Sequence, residues 1–202
     1  MGEISLLLFP QQSTDASLDW SKKIKNSICG IPLFSSSYYS TSNLKVILRA
    51  KENNDSSARK VLARAIALHI EEPCILIPIP SSAAANRRRG YDHSALLALE
   101  VSKLTKGSVW QALRVNRRVA DQTKLNHKDR FTNLAGAYSF IPGNYSADGI
   151  VPINKLVLVD DLVTTGASIA QAIKVLEGAE LTLNRAISAC IATHHLPNTI
   201  ST

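Results

Sequence analysis

The sequence predicts an α/β fold with a mostly parallel central sheet flanked by helices. Three observations carry that expectation. Short, β-branched apolar runs, Cys74 to Ile79 and Lys155 to Val159, read as strands covered on both faces. Stretches with apolar residues at helical spacing lie between such runs, and that alternation is what a parallel sheet with crossover helices requires. With 202 residues, 45% of them apolar and 5% aromatic, the chain suits one domain-sized core and is too apolar to be disordered.

Taken in order, residues 10–43 are rich in Ser, Thr, Asn and Gln, and Trp20, Ile24 and Ile28 predict one amphipathic helical stretch before the polar run Ser35 to Asn43. Two helices follow, carried by Leu44, Ile47 and Leu48 and then by Val61, Leu62, Ala65 and Ile66. The turn Asn53-Asn54-Asp55-Ser56-Ser57 between them supplies an N-cap. Cys74 to Pro80 is a buried parallel strand closed by prolines, and Asp92 opens a helix through Ala95, Leu96, Leu99 and Val101. Strands near Val109 to Leu113 and Tyr138 to Ile141 bracket a polar, basic stretch from Asn116 to Asn133, a loop long enough to point to function. The last third reads as strand Lys155 to Val159, loop Asp160 to Ala167, helix Ser168 to Glu177 stopped by Gly178, and strand Arg185 to Ala192. There is no internal repeat.

Charge is concentrated in one segment. Residues 87–130 hold eleven Lys and Arg against four Asp and Glu, while the remainder carries twelve of each sign. A surplus so placed suits a polyanionic partner, a nucleic acid or a phosphorylated small molecule, or else forms a solvated basic face. Cys29, Cys74 and Cys190 are an odd, widely spaced set with no Cys-x-x-Cys pair, so neither a disulfide framework nor a zinc finger is expected. The adjacent His194 and His195 would face opposite ways on a strand and complete no metal site. No run of eighteen apolar residues is present, and Ile4 to Phe9 is too short for a signal segment, so a cytoplasmic protein without a membrane span is expected.

Chemistry concentrates in Leu156-Val157-Leu158-Val159-Asp160-Asp161-Leu162-Val163-Thr164-Thr165-Gly166-Ala167-Ser168. A buried strand delivers two carboxylates to its C-terminal edge, where open α/β sheets bind ligands, and a hydroxyl-rich turn then starts a helix. That turn can aim backbone N–H groups and three hydroxyls at one phosphate, with Gly166 allowing close approach. Asp160 and Asp161 repel phosphate but accept hydrogen bonds from sugar hydroxyls nearby. A ribose 5-phosphate meets both demands. Neither the Gly-Lys-Ser/Thr of a nucleotide P-loop nor Gly-x-Gly-x-x-Gly occurs in the segment.

This run resembles the 5-phosphoribosyl-1-pyrophosphate (PRPP) motif of type I phosphoribosyltransferases. The resemblance implies that Asp160 and Asp161 hold the ribose hydroxyls and that Thr164, Thr165, Gly166, Ala167 and Ser168 hold the 5-phosphate. Ahead of it come Lys51-Glu52, Ile77-Pro78-Ile79-Pro80, Arg87-Arg88-Arg89-Gly90-Tyr91-Asp92-His93, Val119-Ala120-Asp121-Gln122 and Arg130-Phe131-Thr132-Asn133-Leu134-Ala135-Gly136-Ala137. That succession resembles the ComF/GntX family, the competence-protein-F-like phosphoribosyltransferases. It implies the type I phosphoribosyltransferase fold over 44–202, behind an N-terminal segment 1–43 in which the four-cysteine zinc module of relatives is missing or degenerate.

The resemblance also places a pyrophosphate loop after the first core strand, at Ser81 and Ser82. Arg87, Arg88 and Arg89 carry guanidinium forks that suit phosphate oxygens, though only one or two can face one site. The stretch from Arg117 to Asn133 matches the superfamily's catalytic loop, with Arg117, Arg118 and Arg130 as catalytic cations, and reads alternatively as an exposed basic loop. Lys51 reads as an ordinary surface lysine. The implied activity is transfer of a 5-phosphoribosyl group from PRPP to an unidentified acceptor with release of pyrophosphate, Mg2+ being bound mainly through PRPP. The alternative is a non-catalytic PRPP- or nucleotide-sensing protein that binds DNA or a partner in the DNA-uptake machinery.

Overall fold

The computed structural model describes residues 19–116, 136–143 and 155–192. Eight strands and five helices lie in them: β1 Ile24–Ile28, β2 Ile31–Tyr38, α1 Thr41–Glu52, α2 Ser56–Ala67, β3 Ile75–Pro78, α3 Ala83–Arg89, α4 His93–Thr105, β4 Ser108–Val109, β5 Leu113–Val115, β6 Tyr138–Phe140, β7 Leu156–Val163, α5 Ala167–Glu177 and β8 Leu183–Ile191. The main sheet has the order β1-β2-β8-β7-β3-β4, and a two-stranded sheet joins β5 to β6. In the main sheet every pairing from β2 to β4 is parallel, and only β1 runs against its neighbour. The α/β architecture with a mostly parallel sheet is as expected.

Two apolar layers hold the sheet. On one face Ile47 and Ala50 of α1, Leu62 and Ile66 of α2 and Leu97, Ala98 and Val101 of α4 pack on Leu76, Val157, Val159 and Ile187. On the other, Ile169, Ala172, Ile173 and Leu176 of α5 join Leu113 and Tyr138 of the small sheet against Ile75, Ile77, Leu156 and Leu158. The alternation Leu156, Leu158 against Val157, Val159 is the period-two pattern of a strand buried on both sides.

The structure corrects the expectation at four places. Residues 24–38, expected as part of an amphipathic helix and a polar run, form the hairpin β1–β2, whose register pairs Ile24 with Ser35 and Ile28 with Ile31. Cys29 and Gly30 turn the chain with φ of 50° and 76°, the doubly positive pair that matches hairpin twist. Spacing by four fits period two as well as a helical turn, and β2 hides its inward positions behind serines. Ser35, Ser36 and Ser37 are buried and bonded to Ser188 Oγ, to the Ala65 carbonyl and His69 ring, and to Asn43. Thus the 1–43 segment contributes two strands to the main sheet.

Second, the segment 83–89 is the helix α3, which presents no buried residue and so left no apolar pattern to read. Third, the single strand expected over Val109 to Leu113 divides between β4 in the main sheet and β5 in the small one. Fourth, β7 continues through Asp160, Asp161 and Leu162 to Val163, so the expected loop from Asp160 shrinks to the three residues before α5. Its backbone keeps pairing with Ser188, Cys190 and Ile191 there, which overrides the loop character of two adjacent aspartates.

Candidate functional site

The C-terminal edge of β7 meets the N-terminus of α5 in a cavity of about 30 Å³ lined by Asp160, Thr164, Thr165, Gly166, Ala167 and Ser168 among others. α1, α2, α3 and α4 are each capped by a side chain, from Ser40, Asp55, Ser82 and Asp92, that accepts from a first-turn amide. At α5 the N-cap is Gly166, in the left-handed region at φ of 77°, and no side-chain cap bond is made. Orphan amides at a helix start carry partial positive charge and seek an acceptor. Thr165, buried, accepts from the Ala167 amide at 3.3 Å, which shapes the turn. Tyr138 of β6 stands beside Ser168, its hydroxyl pKa pushed up to about 12 chiefly by burial.

Consecutive residues of a strand face opposite sides, and the two aspartates separate accordingly. Asp160 lines the cavity and accepts from the Asp161 amide at 2.9 Å. Burial and the neighbouring Asp161 carboxylate hold its carboxyl well above the usual range. Asp161, only 4% exposed, faces the helical layer. The Lys51 ammonium donates to its Oδ2 at 2.8 Å and Oδ1 at 3.2 Å, and His93 Nε2 stands 3.3 Å from Oδ2. Burial opposes the charged form of Asp161, but Lys51 and His93 more than offset it and hold the carboxyl well below the usual range. The same carboxylate, working against burial, raises the Lys51 pKa, so both partners are charged at neutral pH.

Lys51 is held by its surroundings. Tyr91 Oη donates to the Lys51 carbonyl at 2.7 Å and accepts from the Asn54 amide at 2.9 Å, tying the end of α1 to the α3–α4 turn. Glu52 takes Arg88 at 2.7 Å and Arg89 at 3.4 Å, while Arg89 donates to Asn86 Oδ1 at 3.0 Å. Asn86 in turn donates to Asp92, the cap of α4, at 3.1 Å.

The structure thus brings together Asp160 with Thr164, Thr165, Gly166, Ala167 and Ser168, and puts Asp161 at the same strand edge on the opposite face. Ser81 is 3.3 Å from Ser94 Oγ, and Ser82 caps α3. Arg87 is exposed, whereas Arg88 and the half-buried Arg89 are engaged by Glu52. Arg117, Arg118 and Arg130 lie outside the described residues. Sequence reasoning missed His93 and gave Lys51 no role. The sequence signalled the need for such partners but not their identity: of two adjacent aspartates on a doubly covered strand, one must point into the helical layer, where a buried carboxylate requires cationic or hydrogen-bonding partners.

No family model and no curated protein matches the chain. Among solved structures, an orotate phosphoribosyltransferase from Aeropyrum pernix aligns with 84% of this chain and 74% of its own, at 19% sequence identity and a TM-score of 0.37. A likeness of that size carries no weight for mechanism.

Proposed function

We propose that the chain is a phosphoribosyltransferase that binds PRPP at the β7–α5 edge and transfers its 5-phosphoribosyl group to an acceptor, releasing pyrophosphate. The observation that carries this reading is the pairing, on one strand end, of a helix start with no side-chain cap and a carboxylate. The amides and hydroxyls of Thr164 to Ser168 suit the 5-phosphate, and Asp160, a short step away, suits the ribose hydroxyls. Asp161 stands behind it and holds Lys51. The C1–O bond would break through an oxocarbenium-like ribosyl cation, so the protein's part is electrostatic: Asp160 faces the positive charge that grows on the sugar. Arg117, Arg118 and Arg130 are the proposed cations for the departing pyrophosphate, and the segment they belong to would exclude water.

Among the described residues no three His, Cys, Asp or Glu stand together as a metal cage. Mg2+ fits as a companion of the ligand instead, because it keeps its waters, bridges phosphate oxygens and needs only one or two carboxylates. Asp160, whose ionised form burial disfavours, would gain from a cation beside it. When bound, Mg2+ would neutralise charge on the pyrophosphate.

Two measurements test the reading. PRPP with Mg2+ should raise the melting temperature, binding at a hundred times Kd adding about 2.7 kcal/mol. A panel of nucleobases, amines and ammonia should contain an acceptor that triggers pyrophosphate release. Absence of any thermal shift at millimolar PRPP refutes the ligand. A shift without release from any acceptor favours the non-catalytic sensor, for which salt-dependent DNA retention is the next measurement.

A further inference from the structure

Lys51 occupies an unusual position. Its ammonium has three donors, of which two are spent on the Oδ atoms of Asp161, and no further acceptor approaches it among the described residues. Asp161 is nearly closed off while the Lys51 side chain keeps 31% of its surface accessible, so the lysine is the more accessible partner of the pair. The Tyr91 bond to the Lys51 carbonyl, and the Arg88 and Arg89 contacts to Glu52, hold the end of α1 that carries Lys51. An ordinary surface lysine needs no such frame, and a lysine serving only to neutralise Asp161 gains nothing from a free donor.

Direction follows from the strand. The cradle between Thr164 and Ser168 lies on the α5 side of β7, and Lys51 lies on the α1–α4 side, with Asp160 and Asp161 between them. On that second side β3 ends next to β7, the Ile79 amide donating to the Val159 carbonyl at 3.0 Å, and the chain then passes through Ser81 and Ser82. A sugar phosphate seated with its 5-phosphate in the cradle would cross the strand edge at Asp160 and present its C1 substituent towards Lys51.

Resting on the PRPP reading of the cradle, we propose that Lys51 is the specificity-determining cation of the site. Asp161 acts as its anchor rather than as a ligand for ribose, and Lys51 receives the diphosphate on C1, so that the site selects a diphosphate-bearing sugar phosphate over the sugar monophosphate. His93 lies on the buried side of the pair with no exposed surface of its own, its Nε2 3.3 Å from Asp161 Oδ2.

The test compares binding of PRPP and of ribose 5-phosphate, both with Mg2+, by titration calorimetry. Because Lys51→Met alone strands a buried carboxylate, the working variant is Lys51→Met with Asp161→Asn, which removes both charges. Loss of one charge-assisted contact should reduce the preference for PRPP over ribose 5-phosphate by about 10- to 100-fold. Affinity for ribose 5-phosphate itself should stay within about threefold of wild type. If the variant folds and keeps the wild-type preference, or weakens both ligands alike, Lys51 is only a counter-ion and the proposal is overturned. Wild-type protein that binds neither ligand refutes the cradle reading instead, and Thr165→Ala, which should weaken both ligands together, separates the two failures.

Discussion

His69 offers a quantitative test of the core's electrostatics, away from the site. It is 6% exposed, stacks on Phe34 at 5.8 Å between centroids and meets Ser36 Oγ at 2.8 Å through Nε2. Burial, with Lys23 and Arg185 nearby, lowers its pKa to about 4. An unfolded histidine titrates near 6.5, and at about 1.4 kcal/mol per pH unit the gap corresponds to about 3 kcal/mol. Between these values the unfolded chain binds a proton that the folded one refuses. Stability present in full above pH 6.5 is therefore lost as the pH falls towards 4, and no more is lost below it. His69→Gln keeps a polar side chain near Ser36 but does not titrate. Urea unfolding of both proteins at pH 7.5, 5.5 and 4.0 isolates the effect, since every other titrating group, Asp160 included, is common to both. Wild type should lose about 3 kcal/mol more than the variant across this window. Parallel profiles, differing by less than about 1 kcal/mol, would refute the assignment of a neutral buried imidazole.

Three further outcomes are expected. Lys51→Met alone should destabilise by about 3–5 kcal/mol, and adding Asp161→Asn should restore most of that loss, as read in a double-mutant cycle by chemical denaturation. Gly166→Ala places a Cβ in the left-handed region and should cost about 1–2 kcal/mol while weakening PRPP, measurable as a lower Tm and a smaller ligand-induced shift. Asp160→Asn should slow pyrophosphate release by about 100- to 1000-fold with ribose 5-phosphate binding largely kept, and unchanged turnover would remove Asp160 from the chemistry.

The parallel strands and the helices that cover them were legible because burial leaves a pattern. Cys74 to Ile79 and Leu156 to Val159 are continuous apolar runs, and Val61, Leu62, Ala65 and Ile66 repeat at helical spacing, all matched by the structure. What escaped were elements stabilised by something other than apolar burial. β2 fills its inward positions with hydrogen-bonded serines, and α3 packs no residue into the core. In the site, the turn after β7 was readable because its composition is local. The Lys51–Asp161 contact joins positions 110 residues apart, and no local composition encodes such a pair.

The central place of β7 also bears on timing. It is hydrogen-bonded to β8 on one side and β3 on the other, and at its last residue the Ala192 amide donates to the Val163 carbonyl at 2.8 Å. An interior strand of this kind opens only with the whole domain, so its amides should be among the last to exchange with deuterated solvent. The floor on which Asp160 and Asp161 stand therefore stays shut through every lesser fluctuation. Under the proposed reading, ligand entry at the cradle would therefore not require β7 to open.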